Sequence, residues 1–372
     1  MCMMPRMLTR SHRRKILFSF AALVLAWLIA EVVIGVTGVF KNPSERVYTD
    51  IYDAAYELLP RVSLHFGNAN TMNDPTNHAG FRGPEFTDEK RPGLYRIIDV
   101  GDSTTFGVMV NENETYSRQL ETMLRKRYGA NRIEVLNAGI PGTNIYTHRL
   151  IFLRKLPRYH PDLAIVYLLF NARNEFEVWR ELEHKAARGE FDPVSLTHRI
   201  LRHSNVYRLL RRMIKGGERI EVLSHIAAIQ RTLRRRDPFE MKWVLAGLKE
   251  DLNGVIDAAN KNGTKLIIVH HLHRALVRER VALIKNPNQE ASGMATSLDD
   301  YIRFSQQICQ ERGVAFINPV EPFVAAAARG EDLFMDNVHF SPAGHLLMAQ
   351  LLAKYIEDHA GDFGVAGAAA AR

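Results

Sequence analysis

The sequence predicts an α/β protein, a five-stranded parallel sheet covered by helices on both faces, with an inserted helical segment and an N-terminal membrane-spanning helix. Three observations predict it. From Gly93 onward, short apolar runs alternate with amphipathic stretches, the pattern of repeated βα units. An apolar run of 25 residues, Ile16 to Phe40, comes before them. The chain is also long enough to bury a sizeable core, with 372 residues of which 46% are hydrophobic and 24% charged.

The apolar run, residues 16–40, would span about 37 Å as a helix, enough for a hydrocarbon layer of about 30 Å. Only Glu31 interrupts it, and a carboxylate there has to snorkel or meet a partner helix. Residues 1–15 form a basic N-terminus with Arg6, Arg10, Arg13, Arg14 and Lys15, whereas only Lys41 and Arg46 closely follow the run. The positive-inside rule then keeps the N-terminus in the cytoplasm and exports the rest. In a bacterium this is a single pass through the inner (plasma) membrane, with the rest of the chain in the periplasm. A cleaved signal peptide is the alternative, since Ile16 to Ala30 has the length of its apolar region. Apolar character resumes from Val32 to Phe40, however, and no clear A-x-A site follows, so an uncleaved signal anchor is expected.

Residues 41–92 read as a connector that ends in the string NHAGFRGPE, Asn77 to Glu85. One large domain is expected over 93–360. Its strands fall at Tyr95–Val100, Ile133–Leu136, Leu163–Leu169, Lys265–Val269 and Val314–Ile317. Helices are expected at Thr115–Arg127, Thr143–Leu156, Phe239–Lys261, Leu298–Glu311 and Pro342–Asp358. Ser297 and Gly313 supply start and stop signals for the fourth, and Ser341-Pro342 opens the last. Residues 175–238 separate the third strand from the next helix and read as an inserted helical cap, with fragments at Val206–Ile214 and Ile220–Arg234. Residues 361–372 read as a flexible tail.

Two cysteines, Cys2 and Cys309, form neither a disulfide framework nor a metal-binding spacing. The net charge is +8, and from Glu177 to Lys242 there are fifteen Lys/Arg against nine Asp/Glu. That surface suits anionic lipid or an acidic glycan, or is simply a set of solvated helix faces. No nucleic-acid-binding motif is present, so nucleic acid is not an expected partner.

In an open parallel sheet, ligands bind beyond the carboxyl ends of the strands, so the residues following each strand matter most. The first strand runs into Gly101-Asp102-Ser103, the second into Asn137-Ala138-Gly139-Ile140-Pro141-Gly142, and the third into Ala172-Arg173-Asn174-Glu175. Asp336-Asn337-Val338-His339 follows the fifth. Acyl transfer needs such a set. Ser103 becomes a nucleophile once His339 takes its proton, and Asp336 can hold the other imidazole nitrogen. The Ser103 and Gly142 amides and the Asn174 side chain would donate to a developing oxyanion. Asp102 is expected to brace the turn. His270, His271 and His273 end the fourth strand on the same rim, where a pocket-lining role is expected; no Cys or carboxylate stands at ligand spacing, so neither metal nor cofactor is expected.

GDSTTFG, NAGIPG, ARNE and DNVH together resemble four blocks of the SGNH (GDSL-like) hydrolases, in family order and over roughly Asn77 to Glu357. The resemblance implies a flavodoxin-like three-layer α/β/α sandwich. It also implies the same roles for Ser103, Asp336 and His339, and for Ser103, Gly142 and Asn174 as the oxyanion hole, without a metal. Two departures stand out. Ala172-Arg173-Asn174-Glu175 replaces the usual Gly-x-Asn-Asp, and Thr104 follows GDS where the family usually has Leu. The expected activity is hydrolysis of carboxylic esters through an acyl-serine, on an acylated small molecule, lipid or glycan. The same residues would serve an envelope O-acyltransferase. A catalytically silent glycan-binding or scaffold protein is the reading from another class, and the intact Ser103, Asn174, Asp336 and His339 oppose it.

Overall fold

The structure is a computed structural model that describes residues 10–37, 76–168, 241–286 and 293–365, together with Arg180, Arg188, Ser204 and Val206. By contacts the chain divides into two compact units. One comprises Met1–Arg46 with Glu181–Thr232, the other Val47–Arg180 with Leu233–Arg372.

In the first unit, α1 runs from Arg10 to Thr37, beginning within the basic stretch that precedes the apolar run. Its segment Phe18–Val36 is long and apolar enough to cross a membrane. Nearly all of the inserted residues 175–238 lie outside the described residues.

In the second unit, β1 (Tyr95–Val100), β2 (Ile133–Asn137), β3 (Leu163–Leu168), β4 (Lys265–His270) and β5 (Ala315–Ile317) form one parallel sheet in the order β2-β1-β3-β4-β5. Every strand residue of β1 and β3 is buried, which is why β3 reads as an unbroken apolar run, whereas β1 carries Arg96 and Asp99 within it. Side chains nevertheless alternate between faces. Ile98 and Val100 join one core with α4 (Ile145–Arg154) and α5 (Met241–Lys261). Tyr95 and Ile97 join the other with α3 (Tyr116–Tyr128), α6 (Arg274–Lys285), α8 (Val320–Ala328) and α9 (Pro342–Asp358). Between α6 and α8 in the chain, α7 (Gly293–Glu311) contributes to both cores. From β1 the chain steps outward to β2 and then crosses back to β3, so the sheet switches direction between β1 and β3. A crevice at the carboxyl ends of those two strands follows from that topology.

Among the described residues the expected strands and helices are present, with four main differences. α7 starts before Ser297, and α4 starts at Ile145 because the Asn144 side chain caps the Tyr146 and Thr147 amides. The helices α6 and α8 were not expected. The segment expected as a tail from 361 begins instead with a helical turn, α10 (Ala360–Phe363), after which Val365 is fully buried. The Tyr95 hydroxyl donates to the Phe363 carbonyl at 2.7 Å, tying this end to β1; residues 366–372 lie outside the described residues.

Asp99, in the middle of β1, is fully buried, and neither of its oxygens has a hydrogen-bond partner of ordinary geometry. Burial pushes its carboxyl up to about 7, and the nearby Ser117 hydroxyl offsets this only in part. A raised carboxyl means the native state holds the proton more tightly than the unfolded chain. Stability is therefore lost as pH rises from about 4 through 7. Asp99→Asn is expected to stabilise the protein at pH 8, by an amount on the order of a few kcal/mol, and to flatten this decline. Thermal unfolding measured at pH 5 and pH 8 checks it; an Asn variant that melts lower at both would contradict the reading.

Candidate active site

Ser103 opens α2 (Ser103–Phe106), a single helical turn directly after β1. Asp102 caps it: Oδ1 accepts from the Thr104 amide at 2.9 Å, the bracing expected of it. The second oxygen is buried without a hydrogen-bond partner, and burial pushes this carboxyl up to about 6, against the Thr104 amide and the charge of His339. The turn ends at Gly107 with φ 83°, a left-handed conformation that favours glycine.

Arg82, from the NHAGFRGPE string, holds the far side of this turn. Its guanidinium donates to the carbonyls of Phe106 (2.8 Å), Gly107 (2.5 Å) and Val110 (2.8 Å), and it lies 5.1 Å from the centroid of the Phe106 ring. It is buried, so its removal leaves three carbonyls short of a donor. Arg82→Met is expected to destabilise the protein by about 3 kcal/mol or more and to lower kcat more than it raises KM. Arg82→Lys should rescue only part, since an ammonium lacks the planar fork. Thermal unfolding and steady-state kinetics check both variants; a Met variant as stable and as active as wild type would contradict this role.

The Gly142 turn is pinned against the Ser103 turn. Asn137 donates from Nδ2 to the Thr105 carbonyl at 2.7 Å and accepts from the Gly139 amide at 3.0 Å. The Ile140 amide donates to the Gly101 carbonyl at 2.9 Å. A Cβ on Gly139 would sit 2.3 Å from the Phe106 amide nitrogen, so no larger residue fits this approach. Gly142 itself has φ 82° and is partly exposed. Asn174 lies outside the described residues.

His339 approaches from the loop before α9. A bridge between Phe334 and Phe340 closes this loop, and Phe340 is buried among Phe323, Phe334, Tyr167 and His345. Two contacts fasten its tip: the Arg274 amide donates to the Asn337 carbonyl at 2.7 Å, and Thr104 Oγ1 donates to the Val338 carbonyl at 3.3 Å. Asp336 Oδ1 accepts from the Val338 and His339 amides, each at 2.8 Å, and Oδ2 lies 2.6 Å from His339 Nδ1. His339 Nε2 lies 2.8 Å from Ser103 Oγ. Burial alone would raise the Asp336 carboxyl, but those two amides and the His339 ring outweigh it and hold it below the ordinary carboxylate range.

Ser103, His339 and Asp336 thus come together in one hydrogen-bonded line. The rim histidines are placed in three different ways. His270 is the last residue of β4, fully buried beside Tyr301, and His271 is buried beside Tyr167. Burial lowers His270 to about 3 and His271 well below the ordinary value, so both are neutral. His273 instead caps α6, accepting from the Ala275 amide at 3.1 Å. Among the described residues, no group of three or more His, Cys, Asp or Glu side chains is arranged to hold a metal ion. Sequence reasoning missed Arg82 and Asn137. Both lie in strings singled out above, but nothing local marks them as the donors that fix the Ser103 turn.

The model of the GDSL-like lipase/acylhydrolase family matches residues 100–347, more than half of the chain. No curated protein matches the chain. Among solved structures, Axe2, an acetylxylan esterase from Geobacillus stearothermophilus, is 16% identical with a TM-score of 0.42, over 70% of this chain and 94% of that one. The acetyl xylan esterase AlAXEase is 15% identical with a TM-score of 0.44, over 70% of this chain and 99% of that one. Likenesses this distant decide neither substrate nor mechanism. The family match, spanning β2 to β5 and the loops that carry Ser103, Gly142 and His339, is the finding that identifies the chain: it belongs to the GDSL-like lipase/acylhydrolase family and is a carboxylester hydrolase of the SGNH type.

Proposed function

We propose that the chain is an exported, membrane-anchored serine esterase in which Ser103 is the nucleophile, His339 the general base and Asp336 the group that orients it. The line Ser103 Oγ–His339 Nε2–Asp336, with separations of 2.8 and 2.6 Å, carries the reading. In the reaction, His339 Nε2 takes the Ser103 proton as Oγ attacks the ester carbonyl. The oxyanion accepts hydrogen bonds from the Ser103 and Gly142 amides and the Asn174 side chain. The intermediate collapses when His339 returns the proton to the leaving alcohol. A water molecule, deprotonated by His339, then releases the acid from the acyl-serine. The mechanism draws on no metal or cofactor. α1 supports the anchor, because its apolar segment lies behind a basic flank and its residues are exposed apart from one half-buried stripe.

The substrate class in this reading is an acyl or acetyl ester of a small molecule, lipid or glycan reachable from the membrane. A panel of chromogenic esters of increasing chain length, offered to the full-length protein in detergent, tests it. Turnover that saturates with at least one short ester is the expected result. No turnover of any ester, from protein shown to be folded, would remove the esterase reading and leave the scaffold reading in its place.

A further inference from the structure

Asp102 carries more charge than its bracing role needs. As the cap of α2 it offers one oxygen to the Thr104 amide, and Asn or Ser would cap the turn about as well. A carboxylate adds a cost, because the side chain is fully buried and Oδ2 has no hydrogen-bond partner of ordinary geometry. Ionisable groups buried in this way cluster at functional sites, and the residue after Asp102 is Ser103.

The groups that face Asp102 come from three elements. Tyr116 on α3 and Tyr167 on β3 are fully buried, and burial lifts both hydroxyls well above their ordinary value, so both are neutral. Each phenol has a partner of its own: Tyr116 donates to Thr105 Oγ1 at 2.8 Å, and Tyr167 accepts from the Leu272 amide at 3.0 Å. Asp99, on β1, acts on Tyr116 as well. The third group is His339, whose positive charge favours the ionised form of Asp102. The loop that carries His339 is fastened to this same turn. Ser103 Oγ lies 2.8 Å from Nε2, and Thr104 Oγ1 donates to the Val338 carbonyl at 3.3 Å.

That attraction is mutual: what the imidazolium does for the carboxylate, the carboxylate does for the imidazolium. His339 becomes an imidazolium while Ser103 attacks, because the Oγ proton passes to Nε2 in that step. We propose that Asp102 acts through His339, as a second carboxylate whose charge favours the imidazolium formed while Ser103 attacks the ester. No proton reaches Asp102. The proton leaves Oγ for Nε2 and goes on to the leaving alcohol. Asp336 holds the ring by a hydrogen bond, whereas Asp102 makes none to it and acts by charge. Asp102 is thus a positioning residue, and this role rests on His339 being the general base.

Burial pushes the Asp102 carboxyl up to about 6, so it is charged at pH 8 and largely neutral at pH 5. Asp102→Asn keeps an oxygen for the Thr104 amide and copies the neutral form. The test measures kcat with a short chromogenic ester for the full-length wild type and this variant in detergent, from pH 5 to pH 8. The ratio of wild type to variant should be on the order of tenfold at pH 8 and fall toward one at pH 5. Asp99 titrates in both proteins and cancels in the ratio. Asp102→Ser, whose hydroxyl also caps, should behave in the same way. A ratio that is constant with pH, whatever its size, would leave Asp102 as a brace only and overturn the proposal. Should neither variant fold, the wild-type profile decides: kcat must fall on the acid side more steeply than loss of one group allows, and a one-proton slope overturns the proposal. The two readings fail differently. A wild type that turns over no ester at any pH refutes the esterase itself, and an active one with a constant ratio refutes the role of Asp102 alone.

Discussion

His339→Ala is expected to lower kcat for ester hydrolysis by several orders of magnitude, as loss of a base does when nucleophile and base act as a unit. Nε2 is the nitrogen 2.8 Å from Ser103 Oγ, and an unassisted serine hydroxyl is a weak nucleophile at neutral pH. The loop should survive the change. Its shape is held by backbone contacts, among them the Met335 amide on the His339 carbonyl at 2.9 Å and the Ser341 amide on the Leu333 carbonyl at 3.0 Å. Kinetics with a matched circular dichroism spectrum check it. A folded variant within tenfold of wild type would place the base elsewhere.

Asp336→Asn is expected to cost nearly as much, on the order of a thousandfold or more in kcat, for a different reason. An Asn oxygen can still accept from the Val338 and His339 amides, so the loop keeps its form. The amide nitrogen, however, would replace Oδ2 as the group facing His339 Nδ1 at 2.6 Å. A donor there favours the imidazole tautomer with its proton on Nε2, which cannot accept from Ser103. The linkage to stability has the opposite sign to that of Asp99. Asp336 is held below its ordinary 3.8, so its stabilisation is present above that value and is lost as pH falls through the native one. Acid unfolding below about pH 4 should therefore be less steep in the Asn variant. Steady-state kinetics and acid melts of both proteins check this; a folded Asn variant with kcat within tenfold of wild type would remove Asp336 from its orienting role.

The sheet was legible because β3 is buried on both faces and appears as an unbroken apolar run, while β1 is apolar apart from Arg96 and Asp99, and each is followed by a polar turn. α9 was legible from Ser341 and Pro342, and the Ser341 hydroxyl accepts the Gly344 amide at 3.1 Å as an N-cap should. α6 and α8 were not. The cap of α6 is a histidine, His273, and the N-cap of α8 is Pro319, which cannot cap, the Val320 amide donating instead to Asn318 Oδ1 one residue earlier at 3.1 Å, so neither has Ser, Thr, Asp or Asn at its N-cap. The end of the chain was misread because Gly361 and the alanines beyond it look like linker, whereas Val365 finds a core position. Ser103, Gly142 and the Asp336–His339 pair could be read because each falls in a short string next to a strand end or helix start. Arg82 could not, because its role depends on carbonyls 24 to 28 residues away.

The most direct measurement is peptide mapping of a fluorophosphonate adduct on the full-length protein. Such a probe traps the serine that forms the acyl intermediate. The expected result is a single adduct on Ser103, absent from Ser103→Ala and formed far more slowly in His339→Ala. An adduct on another residue, or a Ser103→Ala variant that labels and hydrolyses esters at the wild-type rate, would contradict the account.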